Sequence, residues 1–146
     1  MNTEQLLDQM GQLKLGGMQE ALREQQSHPK HADLDFEERL SLLLDRELLK
    51  RENNRVQNLQ RRAKLRQSAS IEDICYKSKR GLEKARVMAL AKGDFIRHHQ
   101  NLLITGPTGC GKTYLACAMG NQACRQGYKV RYILLTRFLE EMTLSH

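Results

Sequence analysis

Asn101-Leu102-Leu103-Ile104-Thr105-Gly106-Pro107-Thr108-Gly109-Cys110-Gly111-Lys112-Thr113 is the stretch that decides how this chain is read. From Gly106 to Thr113 it fits G-x-x-x-x-G-K-[ST], the Walker A phosphate loop. Residues 101–105 are a short apolar run of strand character, and Tyr114 to Gln126 reads as a helix. The motif therefore falls at a strand-to-helix turn, the context that its chemistry requires. Gly106, Gly109 and Gly111 let the backbone curl so that consecutive N–H groups point at the phosphates of a nucleoside triphosphate. The helix that follows adds its positive N-terminal end. Lys112 supplies a full charge to the β and γ oxygens, and the Thr113 hydroxyl is placed to ligate Mg²⁺. Pro107, Thr108 and Cys110 fill variable positions of the same nucleotide-binding set. The competing reading is a glycine-rich turn with an incidental Lys-Thr. The match at every fixed position, with the correct flanks, argues against it.

Downstream, Gly127 is placed to stop the loop helix, and residues 129–134 read as a second strand. Thr136 then starts a final helix with Phe138, Leu139 and Met142 expected to face inward. The order β–loop–α–β–α is the beginning of a P-loop α/β domain. Upstream the pattern is helical. Leu6, Leu7, Met10 and Leu13 follow helical spacing from Asn2 to about Gln12, and Leu15-Gly16-Gly17 breaks it. Met18, Ala21 and Leu22 resume it as far as Ser27-His28-Pro29. Asp35 and Glu38 form a capping-box pattern ahead of a third helix running to about Leu65. Gln67-Ser68-Ala69-Ser70 is the expected joint, Tyr76 to Arg80 is expected to be extended, and short helices are expected over 82–91 and 94–99. The resulting division is a helical domain over 1–67, a linker with helices over 68–100, and the phosphate-loop segment over 101–146.

Charge is unevenly spread. Residues 1–49 hold 5 Lys/Arg against 10 Asp/Glu, whereas residues 50–92 hold 13 against 4. A basic block of that kind favours a polyanion or an acidic partner. Within the third helix and just past it, Arg51, Arg55, Arg61, Arg62, Lys64 and Arg66 are the candidate phosphate-backbone contacts. A solvated helix face is the equal alternative, and the low acidic content speaks against simple ion-pair lacing. Cys75, Cys110, Cys117 and Cys124 contain no C-x-x-C pair, so neither a zinc ribbon nor a redox motif is read here. Cys117 and Cys124 lie among alanines and are expected to serve as small buried packing. There is no apolar run of about 18 residues and no secretory h-region. These features, with the cysteine usage, give a cytoplasmic expectation and no membrane partner.

From residue 36 onward the chain resembles the IstB family, ATP-binding helpers of insertion-sequence transposition and a clade of AAA+ ATPases close to the helicase loader DnaC. The resemblance is carried by Phe36-Glu37-Glu38-Arg39-Leu40 with Leu44-Asp45-Arg46-Glu47, by Arg80-Gly81-Leu82, and by Gly93-Asp94-Phe95-Ile96. It continues through residues 101–109 and Ala123-Cys124-Arg125-Gln126-Gly127-Tyr128. It implies an all-helical N-terminal domain followed by the first β-α-β-α part of a P-loop AAA+ domain, an α/β fold with an incomplete sheet. It also implies ATP and Mg²⁺ as cofactors, and DNA, a cognate transposase and further copies of the full-length protein as partners. A DnaC-like loader, or a non-catalytic DNA-binding or assembly fragment, remains the alternative.

The resemblance also implies residues that do not follow the loop here. No apolar run ending in paired acids comes after Thr113, so the Walker B acid, the sensors and the arginine finger are not found. A truncated form is therefore expected. The 146-residue chain should show no ATP turnover above background in a steady-state phosphate-release assay. Mg²⁺-dependent hydrolysis that disappears in Lys112→Ala would overturn this.

Overall fold

A carboxylate inserted under the start of a helix organises the N-terminal part of the chain. The computed structural model describes residues 2–77 and 81–145, and its contacts divide into two units, residues 1–55 and 56–146. Helix α1 (Thr3–Gln12) starts on a capping box in which Asn2 and Gln5 exchange side-chain-to-backbone hydrogen bonds of 3.0 and 3.1 Å. It ends at Lys14, which takes a left-handed φ of 59° while the Leu15 N–H donates to the Met10 carbonyl. Helix α2 (Gly16–Ser27) therefore contains the two glycines expected to break the pattern. A Cβ on Gly17 would lie 2.8 Å from the Glu47 Cα and 2.9 Å from the Arg46 carbonyl oxygen. That glycine is a helix-to-helix contact. Helix α3 (Phe36–Ala63) begins on the expected Asp35–Glu38 capping box and runs 28 residues without a break.

In the first unit Met18, Ala21 and Leu43 form the buried centre, with Met10, Leu15, Leu22 and Leu40 packed on it. Glu47 is the buried charge, 7% exposed. Its Oε2 accepts the Met18 N–H at 3.0 Å, and its Oε1 accepts from Arg51 at 3.0 Å. No side chain within α2 caps that helix, so the carboxylate from α3 does so from outside.

In the second unit α6 (Lys112–Arg125) is the hub. Cys117, Ala118 and Cys124 are fully buried, as expected, and burial pushes the Cys124 thiol up, which keeps it protonated. Around them pack Ala69, Ile71, Ile74, Val87, Ala91 and Met119. Polar bonds fix the register. Asn121 donates to the Ala69 carbonyl (3.0 Å) and accepts from Gln60 (2.6 Å), and Gln126 donates to the Ala91 carbonyl (2.8 Å). Helix α4 (Lys84–Ala91) leads through Gly93 (φ 81°) into the single turn α5 (Asp94–Arg97). The positive φ is what favours glycine at this position; a Cβ there would in addition meet the tip of the Gln126 side chain, its Oε1 at 2.5 Å.

The α/β expectation is not met: among the described residues there is no β-strand, and every regular element is helical. Residues 101–105 and 130–134 carry strand-type sequence, yet no backbone hydrogen bond joins them. The Tyr132 N–H donates instead to the Ala63 carbonyl at the end of α3 (2.8 Å). Strand propensity describes how side chains suit a pleated surface, and a strand forms only when a ladder satisfies its backbone. With no sheet beneath it, α7 (Leu135–Leu144) leaves Phe138, Leu139 and Met142 between 41% and 53% exposed, against the inward-facing expectation. Residues 78–80 of the stretch expected to be extended lie outside the described residues.

Burial pushes the Glu47 carboxyl up, but Arg51 and the Met18 and Gly17 N–H groups outweigh it and hold it below the ordinary value of 4.5. The folded value is the lower one. This stabilisation is therefore complete above about pH 4.5 and is lost as pH falls through the folded value. Glu47→Ala, which leaves buried N–H donors unpaired, should cost roughly 1–3 kcal/mol at neutral pH. It should also flatten the acid limb of urea midpoints measured from pH 7 to 3; an acid limb as steep as that of the unsubstituted chain would contradict the assignment.

Candidate phosphate-binding site

Two positive-φ glycines shape the loop. Gly109 (φ 82°) and Gly111 (φ 95°) hold conformations that L side chains rarely adopt, and Gly111 is the residue from which α6 starts. A Cβ on Gly109 would meet nothing within 4 Å, so its glycine is a conformational requirement alone. Between them the chain turns back, the Cys110 N–H reaching the Pro107 carbonyl at 3.4 Å. The Cys110 sulfur packs against Gly106, where a Cβ would approach it to 2.9 Å. Gly106, Pro107, Thr108, Gly109 and Thr113 are exposed, whereas Cys110, Gly111 and Lys112 are half-buried.

The N-terminal end of α6 has no side-chain cap. Its first N–H groups therefore open toward the loop with the positive end of the helix dipole behind them. Lys112 reaches back across the loop and its ammonium donates to the Gly106 carbonyl. The whole Gly106–Thr113 set predicted from sequence is thus gathered at one turn. Its donors are backbone N–H groups and one ammonium, which suits a polyphosphate. For Mg²⁺ the protein offers the exposed Thr113 hydroxyl, and among the described residues no group of three His, Cys, Asp or Glu converges on a cation position.

Beside the loop lies a cavity of about 380 Å³, in the size range of small-molecule sites. Cys110, Gly111 and Lys112 form one wall, and Ile74, Leu82, Leu90 and Leu115 supply apolar surface, with Arg86 at the side. The sequence reading did not assign Ile74, Leu82 or Arg86 to this site. Of the three, only Leu82 belongs to a spacing that reads as helical, and the approach to the loop is a product of folding onto α6.

The basic candidates divide. Arg51 is paired with Glu47 (3.0 Å) and Arg55 with Glu52 (2.7 Å), so the near part of the row is laced after all. Arg61, Arg62, Lys64 and Arg66 are exposed and have no acidic partner among the described residues. Among the described residues, no helix is long and apolar enough to cross a membrane.

Residues 8–146 match the family model for the IstB-like ATP binding protein. The chain is 49% identical to the insertion sequence IS1162 ATP-binding protein of Pseudomonas fluorescens, over 100% of this chain and 64% of that protein. It is 41% identical to an insertion-sequence ATP-binding protein of Sinorhizobium fredii, over 95% of this chain and 57% of that one. With an ATP-binding protein in an insertion sequence of Mycobacterium tuberculosis it shares 30% identity, over 92% of this chain and 53% of the relative. The chain thus spans between about half and two thirds of the relatives' length.

Lys112→Ala should abolish binding of a fluorescent nucleoside triphosphate while leaving the thermal melt unchanged, because among the described residues the side chain bonds to the loop itself. Gly111→Ala should both weaken binding and lower stability by about 1 kcal/mol or more, since alanine must hold a left-handed φ there. Wild-type affinity in both variants would remove the loop from the site.

Proposed function

This chain belongs to the family of IstB-like ATP-binding proteins, and on that premise we propose that it serves insertion-sequence DNA transposition as an ATP-binding helper. The observation that carries the reading is the loop at the uncapped start of α6, with Gly109 and Gly111 in left-handed conformations and Lys112 folded across it. In this reading the triphosphate lies against the first N–H groups of α6, and Lys112 exchanges the Gly106 carbonyl for phosphate oxygen. Thr113 contributes one hydroxyl to Mg²⁺, which when bound would neutralise phosphate charge. The apolar wall at Ile74, Leu82 and Leu115 is suited to the flat nucleoside, whose polar edge is left toward Arg86.

Residues 1–67 take the DNA-binding and assembly role, residues 68–100 lead into the nucleotide segment, and residues 101–146 hold the nucleotide. Duplex DNA is engaged through its phosphates by Arg61, Arg62, Lys64 and Arg66, with Arg51 and Arg55 contributing where they leave Glu47 and Glu52. No base-reading arrangement is proposed, so binding is indifferent to sequence. A cognate transposase and further copies of the full-length protein are the protein partners of this role.

Fluorescence anisotropy with a labelled duplex of arbitrary sequence tests the DNA part. Affinity should fall with salt along a log–log slope of about −3.6 to −5.4, as four to six neutralised phosphates require at roughly 0.9 each. Reversing Arg61, Arg62, Lys64 and Arg66 to Glu should remove binding; undiminished binding by that variant would refute the assignment.

A further inference from the structure

Two segments far apart in the chain are pinned side by side on α6, and the pinning sorts their side chains. The Tyr132 N–H donates to the Ala63 carbonyl at 2.8 Å. Leu65 Cδ2 and Val130 Cγ1 both converge on Gly120 of α6, 3.0 and 3.4 Å from where a Cβ would stand. Ala63 is buried, and Leu65, Val130 and Tyr132 are half-buried. The intervening residues are all exposed and all cationic: Lys64 and Arg66 on one segment, Lys129 and Arg131 on the other. Alternation of this kind turns every second residue outward. Here it brings four positive charges to the surface along two segments joined by one backbone bond.

We infer that Lys129 and Arg131 join Lys64 and Arg66 in one phosphate-contacting cluster that takes the backbone of duplex DNA. The inference rests on the DNA reading above and adds two residues that sequence analysis assigned only to a strand. Like charges held together cost free energy unless a counter-charge is near. Among the described residues the acid paired to the cluster is Glu141, whose Oε2 is 3.7 Å from Arg131 in a pair exposed on both sides. Such a pair contributes little and yields readily to a phosphate. Lys64 also holds a left-handed φ of 51°, so the chain leaves α3 by a turn that a lysine does not favour. The Ala63 carbonyl is already occupied by Tyr132, so Lys64 is not needed to satisfy it. Both segments touch α6 at Gly120. A Cβ there would require Leu65 Cδ2, at 3.0 Å, to give by a few tenths of an ångström, while Val130 Cγ1, at 3.4 Å, would be in ordinary contact.

The test is the salt dependence of duplex binding by the full 146-residue chain, measured by anisotropy between 50 and 200 mM NaCl. Lys129→Gln with Arg131→Gln should make the log–log slope shallower by about 1 to 2, at roughly 0.9 for each phosphate no longer neutralised, with an unchanged thermal melt. Arg61→Gln with Arg62→Gln is the parallel variant for the helix reading. A shallower slope in the second variant but not the first overturns the cluster and leaves the helix reading standing. A change in the first alone supports the cluster and removes Arg61 and Arg62. No change in either, or no salt-dependent duplex binding by the parent chain, refutes both; binding to an acidic protein without duplex binding would reassign the surface to that partner.

Discussion

Close packing against the small-residue face of α6 is the constraint on which the second unit depends. Cys117, Ala118 and Cys124 have no exposed surface, and Gly120 leaves room for Leu65 and Val130 to touch the helix. Small residues let neighbouring backbone approach closely, and interiors packed to crystal-like density leave no space for larger ones. The segments around α6 are then fixed by polar bonds at its edge. Asn121 ties the end of α3 to the turn at Ala69, and Gln126 ties down the end of α4. The loop precedes this helix directly, so its N–H groups inherit the orientation of a helix that cannot easily move.

The two units solve the start of a helix in opposite ways. In the first, α2 begins without a local cap and Glu47 supplies a carboxylate from α3, buried and paired with Arg51. The donors at that helix start are satisfied internally and add to stability. In the second, α6 also begins without a side-chain cap, but its N-terminus faces the exposed loop. The same unsatisfied donors are there available to an anion from outside. A helix N-terminus is one physical object, and the position of the nearest negative charge decides whether it stabilises the fold or binds a ligand.

Much of the local structure was legible in the chain. The Asp35–Glu38 box, the length of α3, the stop at Gly127 and the buried cysteines follow from side-chain chemistry acting within a few residues. The misses share a different cause. The expected break between the first two helices is present but falls at residues 13–15, and Gly16 and Gly17 open α2, where Gly17 is needed because α3 passes within touching distance. Residues 101–105 and 130–134 resemble strands, yet a strand requires a partner and Tyr132 bonds to Ala63. Phe138, Leu139 and Met142 have the spacing of a buried face, but spacing cannot supply the surface that would bury it. Arg51 and Arg55 looked unlaced in a basic block, and single glutamates four and three residues away were enough to pair them.

The Walker A motif and the family could be read from the chain without any coordinates. Both are written in residue types at short, fixed spacings, because a tight turn, a helix start and one long lysine side chain act locally. Three-dimensional packing was needed to show which apolar wall stands beside the loop, which cations lack an acidic partner among the described residues, and that the segment of Lys129 and Arg131 lies beside that of Lys64 and Arg66. Those facts depend on what α6 brings together from more than 60 residues apart. Packing, unlike periodicity, has no signature within either segment alone.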